Sequence, residues 1–471
     1  MMRRTVPVVA LLGLAAVAPA ADAPVKPNIV FILADDLGYG DLGCYGQERI
    51  RTPRIDRMAS EGMRFTQCYA GSTVCAPSRC ALMTGLHTGH CTIRGNAAVP
   101  LRPEDRTAAE LLKEAGYATG LIGKWGLGEN ATTGAPNKHG FDYFYGFLNQ
   151  THAHNYYPDY LWRNGEKAPI PANVQSAVKG VAEKRAEYAP DLFLKEGLEF
   201  IEKHKGGPFF LYFASTVPHA NNERTKAQGN GMEVPDAGSY ADRDWPTPEK
   251  DKAAMIARLD GDVGKLLAKL KDLKIDDKTI VFFTSDNGPH REGGNDPRFF
   301  NSSGGLRGIK RDLYEGGVRE PMIVRWPGHV QAGAVSNLQW AFWDFLPTCA
   351  ELVGAKPPDG IDGLSVIPTL LGKGDQKTHP YLYWEFHEGP TKQAVRFGDW
   401  KAVRLRPTGP VELYDLRADV GEQNNVAGHH PDLVARAKEL FTEARTDSAR
   451  WPLTDAVRRP ARPNRANPPQ P

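Results

Sequence analysis

The stretch Ile29-Val-Phe-Ile-Leu-Ala34, with Asp35-Asp36 directly after it, decides the fold. Its apolar residues do not alternate with polar ones, which predicts a strand buried on both faces, as in a parallel sheet covered by helices. Ligands of open α/β sheets bind beyond the carboxyl ends of the strands. The two aspartates therefore mark a candidate site at one edge of the predicted sheet.

Four further apolar runs predict other strands of this sheet, and helical patterns lie between several of them. The runs are Ala118 to Ile122, Phe209 to Ala214, Thr279 to Thr284 and Met322 to Val324. A capping box over Thr107 to Glu110 begins one helix, and apolar residues at helical spacing predict helices over Asp191 to His204 and Lys252 to Leu273. The predicted fold class is α/β, with a large, mostly parallel (mixed) sheet flanked by helices.

Polar residues follow four of the predicted strands. They are Asp35-Asp36, Gly123-Lys124, Pro218-His219 after a short loop, and Asp286-Asn287. Because the carboxyl ends of parallel strands meet at one edge of a sheet, we expect these side chains to form one site from distant segments.

After about residue 355 the pattern changes to short β-like pieces, such as Tyr381 to Phe386, and then to a helix from Pro431 to Arg445. We predict a large α/β domain over residues 25–355 and a smaller α+β domain over 356–455. Residues 456–471 are rich in Pro, Arg and Asn without periodicity, which predicts a disordered tail.

The amino terminus has the pattern of a signal peptide over residues 1–20. Arg3 and Arg4 precede an apolar run from Val6 to Val17, and Ala18-Pro19-Ala20 is a suitable cleavage site. The run is shorter than the ~20 residues of a membrane span, and no later segment is long and uncharged enough for one. We therefore expect export, to a periplasm or to the outside, and no transmembrane segment.

Overall charge and cysteine content exclude two classes of protein. The 58 Lys and Arg residues are nearly balanced by 56 Asp and Glu residues, so no chain-wide basic field attracts nucleic acid. Any anionic substrate must be held by a local site. Six cysteines in so long a chain do not form a disulfide scaffold, and buried free thiols are expected for several of them.

A second informative segment is Cys75-Ala-Pro-Ser-Arg-Cys-Ala-Leu-Met-Thr-Gly85. Pro77 suits the first turn of a helix and Gly85 suits its end, so Cys75 is expected just before the helix. A helix amino terminus favours negative charge, so it suits a sulfate ester and would also lower the pKa of a thiol. From chemistry alone, a buried structural cysteine is an equally good interpretation.

This segment resembles the signature of the type I sulfatases, in the alkaline-phosphatase-like superfamily, whose cysteine a formylglycine-generating enzyme oxidises to formylglycine. The resemblance covers nearly the whole mature chain and implies that residues 25–355 form the catalytic domain. It rests on further motifs in the same order: Asn28 to Asp36, Gly123-Lys-Trp-Gly-Leu-Gly128, His139-Gly-Phe-Asp142, Pro218-His219, Ser285-Asp-Asn-Gly288, Gly308-Ile-Lys310, Glu315-Gly-Gly-Val-Arg-Glu-Pro321 and Glu412-Leu-Tyr-Asp-Leu416.

The family resemblance implies one bound Ca²⁺ ion, held by Asp35, Asp36, Asp286, Asn287 and residue 75. Taken alone, Asp35-Asp36 is an ordinary acidic loop and Asp286-Asn287-Gly288 a turn. Together they supply oxygen ligands, and three adjacent carboxylates are costly without a cation.

The resemblance also assigns the catalytic groups. Lys124 and Lys310, otherwise surface lysines, would bind sulfate oxygens and offset charge as the S–O bond breaks. Arg79 would hold the formylglycine hydrate, and His219 would donate a proton to the leaving oxygen. One hydroxyl of the hydrate attacks sulfur, and the second later expels sulfate.

One position departs from the family, which commonly has histidine where this chain has Gly126. Candidates for the missing imidazole are His152, His154, His87 and His90. His154 is favoured, because His154-Asn-Tyr-Tyr-Pro158 is similar to a segment of related bacterial sulfatases.

The predicted activity is hydrolysis of a sulfate monoester, with a sulfated carbohydrate ranked above an aryl ester. Tyr, Trp and His are dense between Asn149 and Trp162, where they can stack on sugar faces. The alternatives are a phosphatase or phosphodiesterase of the same superfamily, whose nucleophile is typically Ser or Thr, and a non-catalytic binder of sulfated glycans.

Overall fold

The computed structural model describes residues 26–456. The predicted signal peptide, residues 1–20, and the predicted tail beyond residue 456 lie outside the described residues. Within these bounds no helix is long and apolar enough to cross a bilayer.

The strands of the described chain are, in order, β1 (Asn28–Ala34), β2 (Met63–Tyr69), β3 (Ala118–Lys124), β4 (Tyr143–Phe147), β5 (Tyr160–Arg163), β6 (Glu166–Pro169), β7 (Val174–Gln175), β8 (Ala182–Lys184), β9 (Phe209–Ala214), β10 (Thr279–Ser285), β11 (Arg319–Arg325), β12 (Ala334–Ser336), β13 (Trp340–Ala341), β14 (Leu382–Phe386), β15 (Lys392–Phe397), β16 (Trp400–Arg404) and β17 (Val411–Asp415). The α-helices are α1 (Pro53–Ser60), α2 (Cys75–Thr84), α3 (Ala108–Glu114), α4 (Gln150–Ala153), α5 (Ala189–His204), α6 (Asn222–Gln228), α7 (Thr247–Asp272), α8 (Glu315–Val318), α9 (Phe345–Leu352), α10 (Ile367–Leu371) and α11 (Pro431–Glu443).

One large mixed sheet organises the chain, with the order β12-β2-β11-β10-β1-β9-β3-β4-β5-β6. Its centre, from β10 to β4, is parallel, whereas β11, β5 and β6 join antiparallel. β12 and β13 both pair in parallel with β2 at the edge. This arrangement confirms the predicted α/β class with a large, mostly parallel sheet.

The central strands are buried on both faces, as the apolar run at residues 29–34 predicts. Val30 and Ile32 face one core, which also contains apolar residues of α5 and α7. Phe31 and Leu33 face the opposite core, with residues of α3 and α9. Helices therefore cover both faces, and the loops at the strand ends are the part of the sheet that remains for a site.

The strand predicted at Met322 to Val324 lies in the sheet, but β11 runs antiparallel to its neighbour β10. The chain leaves β10 at the carboxyl edge and enters β11 from that same edge after α8. An apolar run does not encode the direction of its strand, so the sequence could not show this reversal.

A smaller antiparallel sheet follows, in the order β14-β15-β16-β17. One face packs on α11, with Val395 and Leu413 against Leu440 and Phe441. The other face packs against the larger unit, in a cluster that joins Trp384, Ala394 and Val403 to Val74 and Ala81. The smaller sheet therefore supports α2 from behind.

Candidate active site

The four acidic and amide side chains predicted at two strand ends lie together. β1 pairs in parallel with β10, and Ala34 is opposite Ser285, so Asp35-Asp36 adjoins Asp286-Asn287. The backbone N–H of Asp36 donates to Asp286 Oδ1 (3.1 Å), and Asn287 Nδ2 donates to Asp36 Oδ1 (2.6 Å). All four residues are fully buried.

Each of the three carboxylates has a buried cationic partner. Lys124 Nζ lies 2.6 Å from Asp35 Oδ2, and Lys310 Nζ lies 2.7 Å from Asp36 Oδ2. The Arg79 guanidinium donates through Nε and Nη2 to Asp286 Oδ2, at 3.0 and 2.8 Å. The site thus joins the three predicted cations with the three predicted aspartates, and the pairing offsets the cost of burying six charges.

Paired charges shift the aspartates in opposite directions. Burial acts to raise the pKa of Asp35, but Lys124 and the other nearby cations outweigh it and hold the pKa well below its usual value. Burial and the adjacent Asp35 raise the pKa of Asp286 to about 7. The three-aspartate cluster therefore carries strong internal repulsion, which a cation would relieve.

Cys75 is the first residue of α2, and Val74 is its N-cap. The helix therefore begins one residue earlier than the sequence predicts. Gly85 ends it as expected, at a φ of 72° that favours glycine, and all ten helical residues are buried. Cys75 Sγ lies 3.4 Å from Asp35 Oδ1, so the helix brings this side chain into the aspartate cluster.

The expectation that the helix terminus lowers the pKa of this thiol is wrong. Burial and the Asp35 carboxylate together raise the pKa of Cys75 well above its usual value. Desolvation and a negative neighbour outweigh the helix dipole here, so the unmodified side chain is a neutral thiol and a poor nucleophile.

His219 lies beside Lys310 at the same edge. Its Nδ1 lies 2.7 Å from the carbonyl oxygen of Ala220, which accepts the ring N–H and leaves the Nε2 lone pair facing Lys310 Nζ at 3.1 Å. Burial and Lys310 hold the pKa of His219 well below its usual value. The imidazole is therefore neutral, and its free nitrogen points into the cluster.

The donors fit a divalent cation. Asp35, Asp36, Cys75 and His219 each offer a ligand atom, and these atoms lie within 4.8 Å of one another. Among the described residues, Asn287 Oδ1 is a buried oxygen without a hydrogen-bond partner. Carboxylate and amide oxygens are the donors that Ca²⁺ prefers, so the oxygens of Asp35, Asp36 and Asn287 suit a divalent cation here.

Sequence reasoning missed two groups of the site. The Glu292 carboxylate accepts hydrogen bonds from Lys310 Nζ at 3.3 Å and from Arg311 Nη1 at 2.7 Å. The Asn96 side chain accepts the backbone N–H of Ala76 at 2.9 Å, beside residue 75. Neither residue follows a predicted strand, and no local pattern marks either of them.

The histidines proposed to replace the side chain at Gly126 lie in three places. His154 stacks on His219, with ring centroids 5.0 Å apart, and its Nδ1 lies 2.9 Å from Glu223. His152 packs between Phe147 and Tyr160. His87 and His90 stack on each other beside Asp362. The structure therefore brings His154 to the site, through its contact with His219.

Comparisons with known proteins identify the family of this chain. The sequence model of the sulfatase family matches residues 27–355, and that of the N-sulphoglucosamine sulphohydrolase C-terminal region matches residues 308–447. The chain is 34% identical over 473 residues to N-acetylgalactosamine-6-sulfatase of Canis lupus familiaris, covering 93% of this chain and 83% of that protein. It is 31% identical to N-acetylgalactosamine-6-O-sulfatase of Bacteroides thetaiotaomicron, covering 89% and 93%.

A solved structure resembles the fold closely. Ps i-CgsB, in complex with k-i-k-neocarrahexaose, superposes with a TM-score of 0.75 at 29% identity, over 91% of this chain and 95% of that one. The fold and the family model together define an α/β hydrolase of the sulfatase type. The chain belongs to the sulfatase family and is a sulfuric ester hydrolase.

Proposed function

We propose that this protein hydrolyses a sulfate monoester of a sulfated carbohydrate, with formylglycine derived from Cys75 as the nucleophile and one bound Ca²⁺. The observation that carries the proposal is the position of Cys75 Sγ, 3.4 Å from Asp35 within a buried cluster of three cations and three carboxylates. An unmodified thiol with a raised pKa is unsuited to attack there, so oxidation to the aldehyde gives the site its nucleophile.

The proposed reaction has two stages. One hydroxyl of the hydrated aldehyde attacks sulfur, the ester S–O bond breaks, and the alcohol departs with a proton. The second hydroxyl then loses its proton, its oxygen forms the C=O bond, and the bond from carbon to the sulfated oxygen breaks to release sulfate. Serine or cysteine at position 75 lacks the second hydroxyl and therefore lacks this release step.

Lys124 and Lys310 are proposed to bind the sulfate oxygens. Both ammonium groups are buried beside residue 75, and their present partners, Asp35 and Asp36, are the proposed metal ligands. Arg79 is proposed to hold the hydrate, and its two hydrogen bonds to Asp286 fix the guanidinium in place. Preorganised cations in a water-poor site stabilise charge as it develops in the transition state.

His219 is proposed as the proton donor to the leaving oxygen. Its Nε2 faces the cluster, and a bound sulfate would bring negative charge that favours the protonated ring. His154, stacked on His219 and paired with Glu223, is proposed as the second imidazole of the reaction.

Asp35, Asp36, Asp286, residue 75 and the unpartnered Oδ1 of Asn287 are proposed to hold the Ca²⁺ ion. When bound, it would neutralise the adjacent carboxylates and polarise the sulfate oxygens that it contacts.

Two relatives support a carbohydrate substrate, since their names specify N-acetylgalactosamine sulfate and a third protein binds a neocarrahexaose. The aromatic segment between Asn149 and Trp162 offers fewer rings for stacking on a sugar than its sequence suggests, because Tyr156 and Tyr157 are buried. Tyr156 instead places its hydroxyl near the carbonyls of Thr216 and His219 and supports the His219 turn. Tyr160 and Trp162 remain partly exposed for stacking.

The proposal is tested by producing the full chain with and without a formylglycine-generating enzyme. Peptide mass analysis should show residue 75 losing sulfur and gaining oxygen, and only that preparation should cleave members of a panel of defined sulfated saccharides. Cys75→Ser is the matched control, and each molecule of this variant should take up at most one covalent sulfate without turning over. Equal turnover by protein that carries only the thiol would refute the mechanism. Secretion of the mature chain, with cleavage near residue 20, is the corresponding test of the proposed export.

A further inference from the structure

The space beside Gly126 is occupied by a glutamine. A Cβ atom built on Gly126 would lie 2.4 Å from Gln150 Nε2, and apart from the flanking Trp125 and Leu127 no other side chain of the described chain, histidines included, lies within 4 Å of it. Gln150 is the first residue of α4, and the backbone N–H of Gly126 donates to Leu148 at 3.1 Å, which fixes the two segments together. The absent side chain at 126 and the carboxamide at 150 are therefore alternatives for one volume.

The Gln150 carboxamide has no partner in the folded chain. Both Nε2 and Oε1 are buried, and neither has a hydrogen bond among residues 26–456. Leaving such a group unsatisfied costs about 1–3 kcal/mol, so a buried amide of this kind is normally completed by a ligand or water. Of the available chemistries, an anionic oxygen suits Nε2, because it accepts and does not donate.

The location connects this amide to the reacting centre. Gly126 follows Lys124 by two residues, Lys124 Nζ contacts Asp35, and Asp35 contacts Cys75 Sγ. The carbonyl oxygen of Lys124 also accepts a hydrogen bond from Arg79 Nη1 at 2.5 Å. The loop that carries Gly126 is thus held against α2.

We propose that Gln150 takes the place of the residue-126 side chain and positions the substrate by donating from Nε2 to a sulfate oxygen. The inference rests on the proposed function, because it assumes that sulfate binds at residue 75. A carboxamide does not ionise at neutral pH, so Gln150 orients the ester without acid–base chemistry. Any proton transfer that an imidazole at 126 would perform falls to another group.

The test uses Gln150→Ala and the nearly isosteric Gln150→Glu, with Thr151→Ala as the control, since Thr151 is the next residue of α4 and is exposed. Loss of a hydrogen bond to a charged group should lower kcat/KM for 4-nitrophenyl sulfate by roughly 10- to 100-fold. Gln150→Glu should be at least as impaired, because it adds a negative charge. Thr151→Ala should match the wild type.

A reciprocal exchange separates positioning from folding. Gly126→His alone should lose activity, because the new Cβ meets Nε2 at 2.4 Å and the φ of +82° disfavours a side chain. In Gly126→His/Gln150→Ala the clash with Nε2 is removed while the backbone strain stays, so kcat/KM should recover in part relative to Gly126→His. The pH–rate profile should then gain an ionisation near 6.5, the ordinary pKa of histidine.

A binding readout keeps this inference independent of turnover. Inorganic sulfate should raise the Tm of wild-type protein carrying the unmodified thiol and of Thr151→Ala, but not of Gln150→Ala or Gln150→Glu. Wild-type kcat/KM and undiminished sulfate stabilisation in both Gln150 variants would overturn the proposal. If no sulfate ester is cleaved even by formylglycine-containing protein, the proposed function fails, while the sulfate-dependent Tm still decides whether Gln150 binds the anion.

Discussion

Lys124, at the end of β3, contacts Asp35, at the end of β1, with 2.6 Å between Nζ and Oδ2, although β9 lies between the two strands. The side chain reaches across the end of β9. The backbone allows this because Gly123 approaches β9 so closely that a Cβ there would lie 1.9 Å from the Ala214 carbonyl oxygen. A glycine therefore sets the position of a charged group two strands away from its partner.

Gly123→Ala should lower the free energy of unfolding by about 3 kcal/mol or more and reduce activity. The new methyl clashes with backbone, and the φ of +111° is unfavourable for alanine. Gly116→Ala is the matched control, since its φ is +88° and, beyond its two chain neighbours, no atom of the described chain lies within 4 Å of the new Cβ. It should cost only about 1–2 kcal/mol, from strain alone. Urea unfolding of both variants makes the comparison, and equal losses would mean that the close approach is unimportant.

Calcium should raise the Tm of the wild-type protein, and Asp286→Asn should abolish most of this increase. A ligand at 100 times its Kd stabilises the folded state by about 2.7 kcal/mol, and the substitution removes a ligand charge while keeping the side-chain shape. Asp359→Asn, at the exposed Lys356–Asp359 pair, is the control. Calorimetry with added Ca²⁺ or chelator measures the effect. An undiminished response in Asp286→Asn would remove this residue from the proposed metal site.

His154→Ala should lower kcat, and covalent sulfate should accumulate on residue 75 if this imidazole assists the release step. Rapid-quench mass analysis of the peptide that contains residue 75 detects the trapped group. Glu223→Gln removes the carboxylate partner of His154 and should change kcat in the same direction by a smaller factor. A higher KM with unchanged kcat and no trapped sulfate would identify His154 as a substrate contact instead.

Stability should fall between pH 6.5 and pH 4 because of His87. Burial lowers the pKa of this ring to about 4, despite the opposing effect of Asp362. The unfolded chain therefore binds the proton first as the pH falls, and up to about 3 kcal/mol of stability is lost through this window. His87→Asn should flatten the dependence of unfolding free energy on pH, whereas His429→Asn, at an exposed position, should leave the slope unchanged. Equal slopes in all three proteins would contradict the assignment.

The sequence predicts the sheet and the aspartate cluster well, because both depend on local signals. An apolar run followed by acids identifies β1 and β10, and parallel pairing then brings Asp36 and Asn287 together without further information. The direction of β11 is different, since it depends on where the preceding loop returns.

The features that the sequence did not predict depend on contacts between segments that are distant in sequence. The pKa of Cys75 depends on Asp35 and on burial, which outweigh the helix terminus that the sequence displays. Likewise, the volume beside Gly126 is filled from α4 by Gln150, and nothing in either segment marks this meeting. The site roles of Arg79, Lys124, His219 and Lys310 stay predictions until they are tested by substitution.

Burial of residue 75 has a consequence for biosynthesis. Cys75 is 1% exposed, every residue of α2 is buried, and the smaller sheet packs behind it. The proposed oxidation of this thiol therefore requires that the enzyme reach it before the downstream segments with Asp286 and Lys310 close the site. For the proposed formylglycine mechanism this means that oxidation precedes folding, and that a chain which folds first keeps the thiol and stays inactive until it is unfolded.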